Sequence, residues 1–200
     1  MSEMKSLCVY CGSSAGASPV YADAARMLAK TMVDENISLV YGGGNVGLMG
    51  IIADEVLRLG GEATGVIPKA LMDKEVGHVG LTHLHIVKDM HERKALMAEL
   101  SHGFVAMPGG IGTLEELFEV FTWSQLGFHD KPIGLLNVNG FYDGLIGFLE
   151  HVIEERFLRR EQASLLVHAA EPLDLVELLK TYRPQRYEKT FDRVTASKII

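Results

Sequence analysis

Two hydrophobic periods alternate along this chain. Short runs of consecutive apolar residues are followed by longer stretches whose apolar positions recur every three or four residues. The runs predict strands at Ser6–Cys11, Ser38–Tyr41, Glu62–Ile67, Thr82–Val87, Phe104–Met107, Ile133–Asn137 and Leu165–Val167. The periodic stretches predict helices at Pro19–Asp34, Val46–Leu59, Met90–His102, Leu114–Phe128, Phe141–Glu155 and Leu173–Leu179. Ser18 before Pro19 and Asp89 before Met90 are helix-capping residues, and Gly60-Gly61 closes the second helix. The polar stretch Pro68–Gly80, bounded by Pro and Gly, reads as a loop. Fully apolar strands that alternate with helices imply a parallel sheet covered on both faces. The expected fold is therefore α/β, a single-domain, Rossmann-like doubly wound parallel sheet over residues 1–180. Residues 181–200 lack a period, carry five Lys or Arg against two acids, and read as a C-terminal arm.

Composition narrows the function classes. At 200 residues with 48% hydrophobic and 22% charged side chains, the chain suits one soluble globular domain. A formal net charge of -7 argues against nonspecific nucleic-acid binding. No apolar run has the roughly 18 residues of a membrane span, and the N-terminus lacks a signal-peptide pattern. Two cysteines cannot make a disulfide framework, so a cytoplasmic setting is expected. Cys8 and Cys11 are spaced C-x-x-C on a strand, where an odd spacing sends the sulfurs to opposite faces and speaks against redox or zinc chemistry.

Ligands of doubly wound sheets bind beyond the carboxyl ends of the strands, which directs attention to three glycine-rich turns. The run from Gly42 to Gly50 joins a strand to a helix, and Gly42, Gly44 and Gly47 match the dinucleotide fingerprint. The context is poor, because this is the second strand and the acid about 20 residues on, Glu62, begins a strand. Tight strand–helix packing explains the same glycines. The turn Pro108-Gly109-Gly110-Ile111-Gly112-Thr113-Leu114-Glu115-Glu116 is a cradle suited to a monophosphate, and no Lys follows its last Gly as in triphosphate loops. Its bland reading is a capping box in which Thr113 caps the helix and Glu116 reaches back. In the third turn, Cys11–Ser14, small residues and hydroxyls such as Ser13 suit contact with a ribose or base.

Ionisable residues add candidate chemistry. Arg93 falls on the apolar stripe Met90, Leu96, Met97, Leu100, where a charge is costly unless it meets an anion, snorkels outward or forms an ion pair. Glu116, one turn into its helix, shares a side with Gly112 and Thr113. A carboxylate beside a phosphate-anchored sugar suits glycosidic chemistry, which passes through an oxocarbenium-like state. Glu115 and Glu119 are four apart, should repel, and are expected to face solvent. Glu75 in the polar loop is either a second carboxylate or a solvated acid. His83 and His85 share a strand face but have no evident third ligand, so no metal site is expected.

The run Asp89-Met90-His91-Glu92-Arg93-Lys94 and the run Pro108 to Glu116 together resemble the two diagnostic motifs of the LOG ("lonely guy") family. These are cytokinin riboside 5′-monophosphate phosphoribohydrolases, long mislabelled lysine decarboxylases. Gly42–Gly50 and Phe121–Gly127 also fit, and the similarity runs from about Ser6 to about Leu179. The resemblance implies hydrolysis of the N-glycosidic bond of a purine nucleoside 5′-monophosphate, AMP or its N6-substituted form, to free base and ribose 5-phosphate. It implies Arg93 and Glu116 as the catalytic pair. Substrate and phosphate contacts then fall on Ser13, Gly43, Gly44, Glu75, Met90, Lys94 and Thr122, and on Gly109, Gly110, Ile111, Gly112, Thr113, Leu114 and Glu115. Neither metal nor cofactor is implied. A homodimer is expected, with Leu117–Phe121 and Trp123 as one candidate contact and core burial as the other. The residues alone leave two alternatives, a non-catalytic carrier of a nucleotide or phosphorylated cofactor and a structural dimer with a vestigial site.

Overall fold

The computed structural model describes residues 4–72 and 77–183. Its centre is a seven-stranded parallel sheet of β1 (Ser6–Tyr10), β2 (Ser38–Tyr41), β3 (Ala63–Pro68), β4 (His83–Val87), β5 (Gly103–Ala106), β6 (Ile133–Leu136) and β7 (Leu166–Ala169). The spatial order is β4-β3-β2-β1-β5-β6-β7, and every pairing is parallel. The chain therefore winds outward from β1 to β4, returns to the centre at β5, and winds the other way. The doubly wound α/β fold expected from the pattern is the fold observed.

The inner strands β1, β2, β3, β5 and β6 are short and largely apolar because both faces are covered, whereas the edge strands β4 and β7 are partly exposed. On one face Leu7 and Val9 of β1 and Leu39 and Tyr41 of β2 pack against α1 (Pro19–Asp34), α2 (Gly47–Arg58) and α8 (Pro172–Thr181). On the other, Cys8, Tyr10 and Val40 meet α4 (Met90–Glu99), α5 (Ile111–Leu126) and α6 (Asp143–Glu154). Cys8 and Cys11 do lie on opposite faces, and burial pushes both thiols up, which keeps them protonated.

Local signals act where the residues place them. The Ser18 side chain accepts from Val20 N–H at the start of α1, and buried Ala24, Ala25, Leu28, Ala29 and Met32 form its inward stripe. α1 ends on Asn36 in the left-handed region (φ 56), with Ile37 N–H bonded back to Met32 O. Asp89 caps α4 by accepting from His91 and Glu92 N–H. Two expectations change. The polar loop contains a one-turn helix, α3 (Lys69–Met72), and another short helix, α7 (Arg160–Ala163), precedes β7. Four-residue helices are too short to show a period. The C-terminal arm lies, from residue 184 onward, outside the described residues. Among the described residues no helix is long and apolar enough to cross a membrane.

Candidate active site

β1 and β5 are neighbours whose chains depart in opposite directions, so a crevice opens beyond their carboxyl ends. Gly12 N–H donates to Pro108 O (3.1 Å) and Met107 N–H to Tyr10 O (2.9 Å), which seals the two turns side by side. A Cβ on Gly12 would lie 2.9 Å from Ser14 O and 3.4 Å from Gly109 Cα. Only glycine allows backbone this close. Ser13 is exposed on this rim.

α5 begins at Ile111 with Gly110 as N-cap, three residues earlier than the capping-box reading required. That reading is corrected: no side chain caps the helix, and Thr113 lies inside its first turn, buried against Gly109. The shift changes the chemistry of the turn. Among the described residues no acceptor takes the N–H groups of Ile111, Gly112 and Thr113, and the Thr113 hydroxyl makes no hydrogen bond. A Cβ added at Gly110 or Gly112 would meet nothing within 4 Å. The positive end of a 16-residue helix thus faces open space with its donors free, the arrangement that binds a phosphate or carboxylate.

Arg93 enters from α4. It is buried (6% exposed) and, among the described residues, forms no ion pair, so neither snorkelling nor a structural salt bridge accounts for it. Its Nη2 donates to Gly42 O (3.1 Å), Nη1 lies 3.7 Å from Met90 Sδ, and the buried Nε has no partner. A Cβ on Gly42 would overlap Nη2. Gly42 therefore leaves a slot for a guanidinium supplied 51 residues later. Gly43 and Gly44 are buried beneath residues 77 and 78 through a Gly44–Gly77 bridge and a His78 N–H to Gly43 O bond (3.0 Å). The N-terminus of α2 is partly satisfied as well, because Leu48 N–H donates to Gly12 O (3.0 Å). Tight packing is thus one role that these glycines serve.

Glu116 is half-buried at the base of the α5 turn and makes no hydrogen bond or ion pair among the described residues. Burial pushes its carboxyl up to about 7. The nearby Arg93 and Lys94 cations only partly oppose that rise, and Glu115 and Glu119 reinforce it. Those two acids do not simply face solvent. Lys94 Nζ donates to Glu115 (2.7 Å) and Glu119 (2.9 Å), and this bridge corrects the expected repulsion. Desolvation lowers the Lys94 pKa, but the two carboxylates more than offset it and hold it above its ordinary value.

Of the other residues singled out from sequence, Met90 touches Arg93 as above, Ile111 is exposed at the helix start and Leu114 is half-buried. Thr122 shares the Glu115–Glu119 stripe and donates to Phe118 O of its own helix (2.7 Å), so it is not brought to the turn. Glu75 lies outside the described residues. Among the described residues no three metal-ligand side chains cluster, and His83 and His85 are exposed. Sequence reasoning missed the Gly42 slot and the pair His78–Asp54. Each joins residues far apart in the chain, and no local pattern marks such contacts.

The fold and this site define a doubly wound α/β protein in which an open helix N-terminus meets a half-buried carboxyl and a buried guanidinium. A family model described as "Possible lysine decarboxylase" matches residues 49–179. LOG1 of Arabidopsis thaliana, a cytokinin riboside 5′-monophosphate phosphoribohydrolase, is 50% identical over 188 residues, 94% of this chain and 88% of that protein. Rice LOGL2, a probable enzyme of the same name, is 48% identical over 96% of this chain and 79% of its own length. The chain belongs to the LOG family. A solved structure of the molybdenum cofactor carrier protein of Chlamydomonas reinhardtii has the same fold, with TM-score 0.66, 20% identity, and 88% of this chain and 98% of that chain covered.

Proposed function

We propose that this protein hydrolyses the N-glycosidic bond of purine nucleoside 5′-monophosphates, either cytokinin riboside 5′-monophosphates or AMP, to free base and ribose 5-phosphate. The observation that carries this reading is the adjacency of Glu116 and Arg93 to the free donors of the α5 N-terminus, in a chain about half identical to named phosphoribohydrolases. The turn Gly109–Thr113 takes the 5′-phosphate, which fixes the ribose near Glu116. As the C1′–N9 bond breaks, its electron pair leaves with the base, which takes up a proton. Positive charge develops on the ribose, and the Glu116 carboxylate stabilises it and orients the water that adds its hydroxyl to C1′. A carboxyl that titrates near neutrality populates both forms, so it can also exchange the protons of this step with base and water. Arg93 holds its orphaned Nε–H ready for a substrate oxygen and balances the added negative charge. Water is the only co-reactant of this step, and no oxidation state changes in it.

The test is to incubate the protein with AMP and with N6-isopentenyl AMP and to quantify base and ribose 5-phosphate. Glu116→Ala should bind nucleotide yet release base at least about a hundredfold more slowly. Unchanged release by the variant would refute the catalytic assignment. Binding without release by the parent chain would move the reading to a carrier.

Two features extend this reading. The buried, unpaired thiols support a cytoplasmic setting. A second copy of the chain is the expected partner, and of the candidate contact Leu117–Phe121 and Trp123 only Phe118, Glu119 and Trp123 are partly accessible. Leu117, Val120 and Phe121 are buried in this chain's own core, the other of the two alternatives for them. The apolar helix α6 has no fully buried residue, and Phe148 on it and Phe157 just beyond it are 60% and 87% exposed. We place the second copy there.

A further inference from the structure

Arg93 is held by a carbonyl of a turn rather than by a side chain, so its position depends on what holds that turn. The Gly42–Gly44 turn is buried, and Gly43 has a left-handed backbone (φ 75). β3 supports it from below, where a Cβ on Gly65 would lie 2.8 Å from Gly43 Cα. Residues 77 and 78 hold it from above, through the Gly44–Gly77 bridge and the His78 N–H to Gly43 O bond. The His78 ring then fastens this upper segment. It is buried (7% exposed), and both ring nitrogens are engaged. Gly80 N–H lies 3.1 Å from Nδ1 and can only donate, so Nδ1 is the acceptor. Nε2 therefore carries the hydrogen and donates to Asp54 Oδ1 on α2 (2.9 Å). The same helix α2 is tied to the β1 turn by Leu48 N–H to Gly12 O (3.0 Å).

We propose that His78 and Asp54 are positioning residues for Arg93, acting through the Gly42–Gly44 turn. They form a brace that runs from α2 through the imidazole to the carbonyl side of the turn that receives the guanidinium. The brace touches neither the α5 N-terminus nor Glu116, so it governs placement of Arg93 and not capture of the phosphate. This inference rests on the proposed role of Arg93 in the reaction, but its geometric part does not.

Variants separate the two links. Asn at position 78 can still accept from Gly80 N–H two residues on, as in an Asx turn, but is too short to reach Asp54. Asn at position 54 can still accept from Nε2. His78→Asn and Asp54→Ala should each lower kcat for base release about tenfold while KM changes less than about threefold. The double variant should be no worse than either single one, and Asp54→Asn should restore most of the rate. An independent readout is the 15N-labelled Nε–H resonance of Arg93, assigned by its loss in Arg93→Lys. That resonance should shift and exchange faster with solvent in Asp54→Ala and return in Asp54→Asn. An unchanged resonance and kcat in both disrupted variants would overturn the proposal, as would a rise in KM alone. If the parent protein releases no base, the reaction reading fails while the Arg93 resonance still decides the brace.

Discussion

Glu116 combines two demands that conflict. Placed in a partly dry turn, where the proposed reaction would use it, it costs stability whenever it is ionised. Its folded-state pKa, about 7, exceeds its ordinary value of 4.5, so the folded chain binds this proton more tightly than the unfolded one. Stability from the group is complete below about pH 4.5 and is lost as pH rises through about 7. Glu116→Gln, neutral at all pH, should therefore be more stable than the parent by about 1–3 kcal/mol at pH 8 and little different at pH 5. Urea unfolding at both pH values checks this, and an equal difference at both would refute it. Gly112 gives the complementary case. It lies in the first turn of α5 with open space where a side chain would go. Gly112→Ala should stabilise the helix by a few tenths to about 1 kcal/mol while weakening nucleotide binding, because the new methyl enters the space that the proposed function gives to the phosphate. Thermal melts with and without AMP separate the two effects.

At the level of elements, most of the design was legible. Ser18, Pro19 and Asp89 act at the helix starts where the pattern put them, because capping depends on residues within one turn. The inner strands β1, β2, β3, β5 and β6 were legible because strands covered on both faces are largely apolar, whereas the edge strands β4 and β7 expose His83, His85 and His168. The start of α5 was not legible. Thr113 and Glu116 imitate a cap, and Ile111 and Gly112 are indifferent helix formers. What decides the start is that Thr113 packs on Gly109 at the close approach of two turns. Arg93 was flagged as costly on its apolar stripe, but its partner, Gly42 O, is a backbone atom that no composition rule points to. Helix ends offer a further test. α6 closes with Arg156 in the left-handed region (φ 64), where Phe157 N–H bonds Val152 O and Arg156 N–H bonds Ile153 O. Glycine suits that position better, so Arg156→Gly should stabilise the fold by about 0.5–1 kcal/mol, read as a shift of the urea midpoint at unchanged m.

The whole molecule divides its labour by face. α1, α2 and α8 form a packed layer on one side of the sheet, whereas the side of α4, α5 and α6 carries Arg93, Lys94 and Glu116 and leaves the apolar α6 half-covered. If a second copy covers α6, Phe148→Glu should shift the protein from dimer to monomer in sedimentation velocity, since a charge desolvated at the centre of an apolar contact is costly. An unchanged dimer would exclude this face. The order of the strands also dictates when the molecule can exist at all. β1 leaves the ribosome well before the strand on its other side, β5, which pairs Gly103 with Leu7. Until the roughly one hundred residues that separate the two strands have followed, the central strand exposes a bare, apolar edge to the cell. The crevice that holds the site has only one wall for as long as that lasts. A nascent chain of this protein is therefore adhesive before it is active, and the wait for β5 is the period in which it most needs shelter.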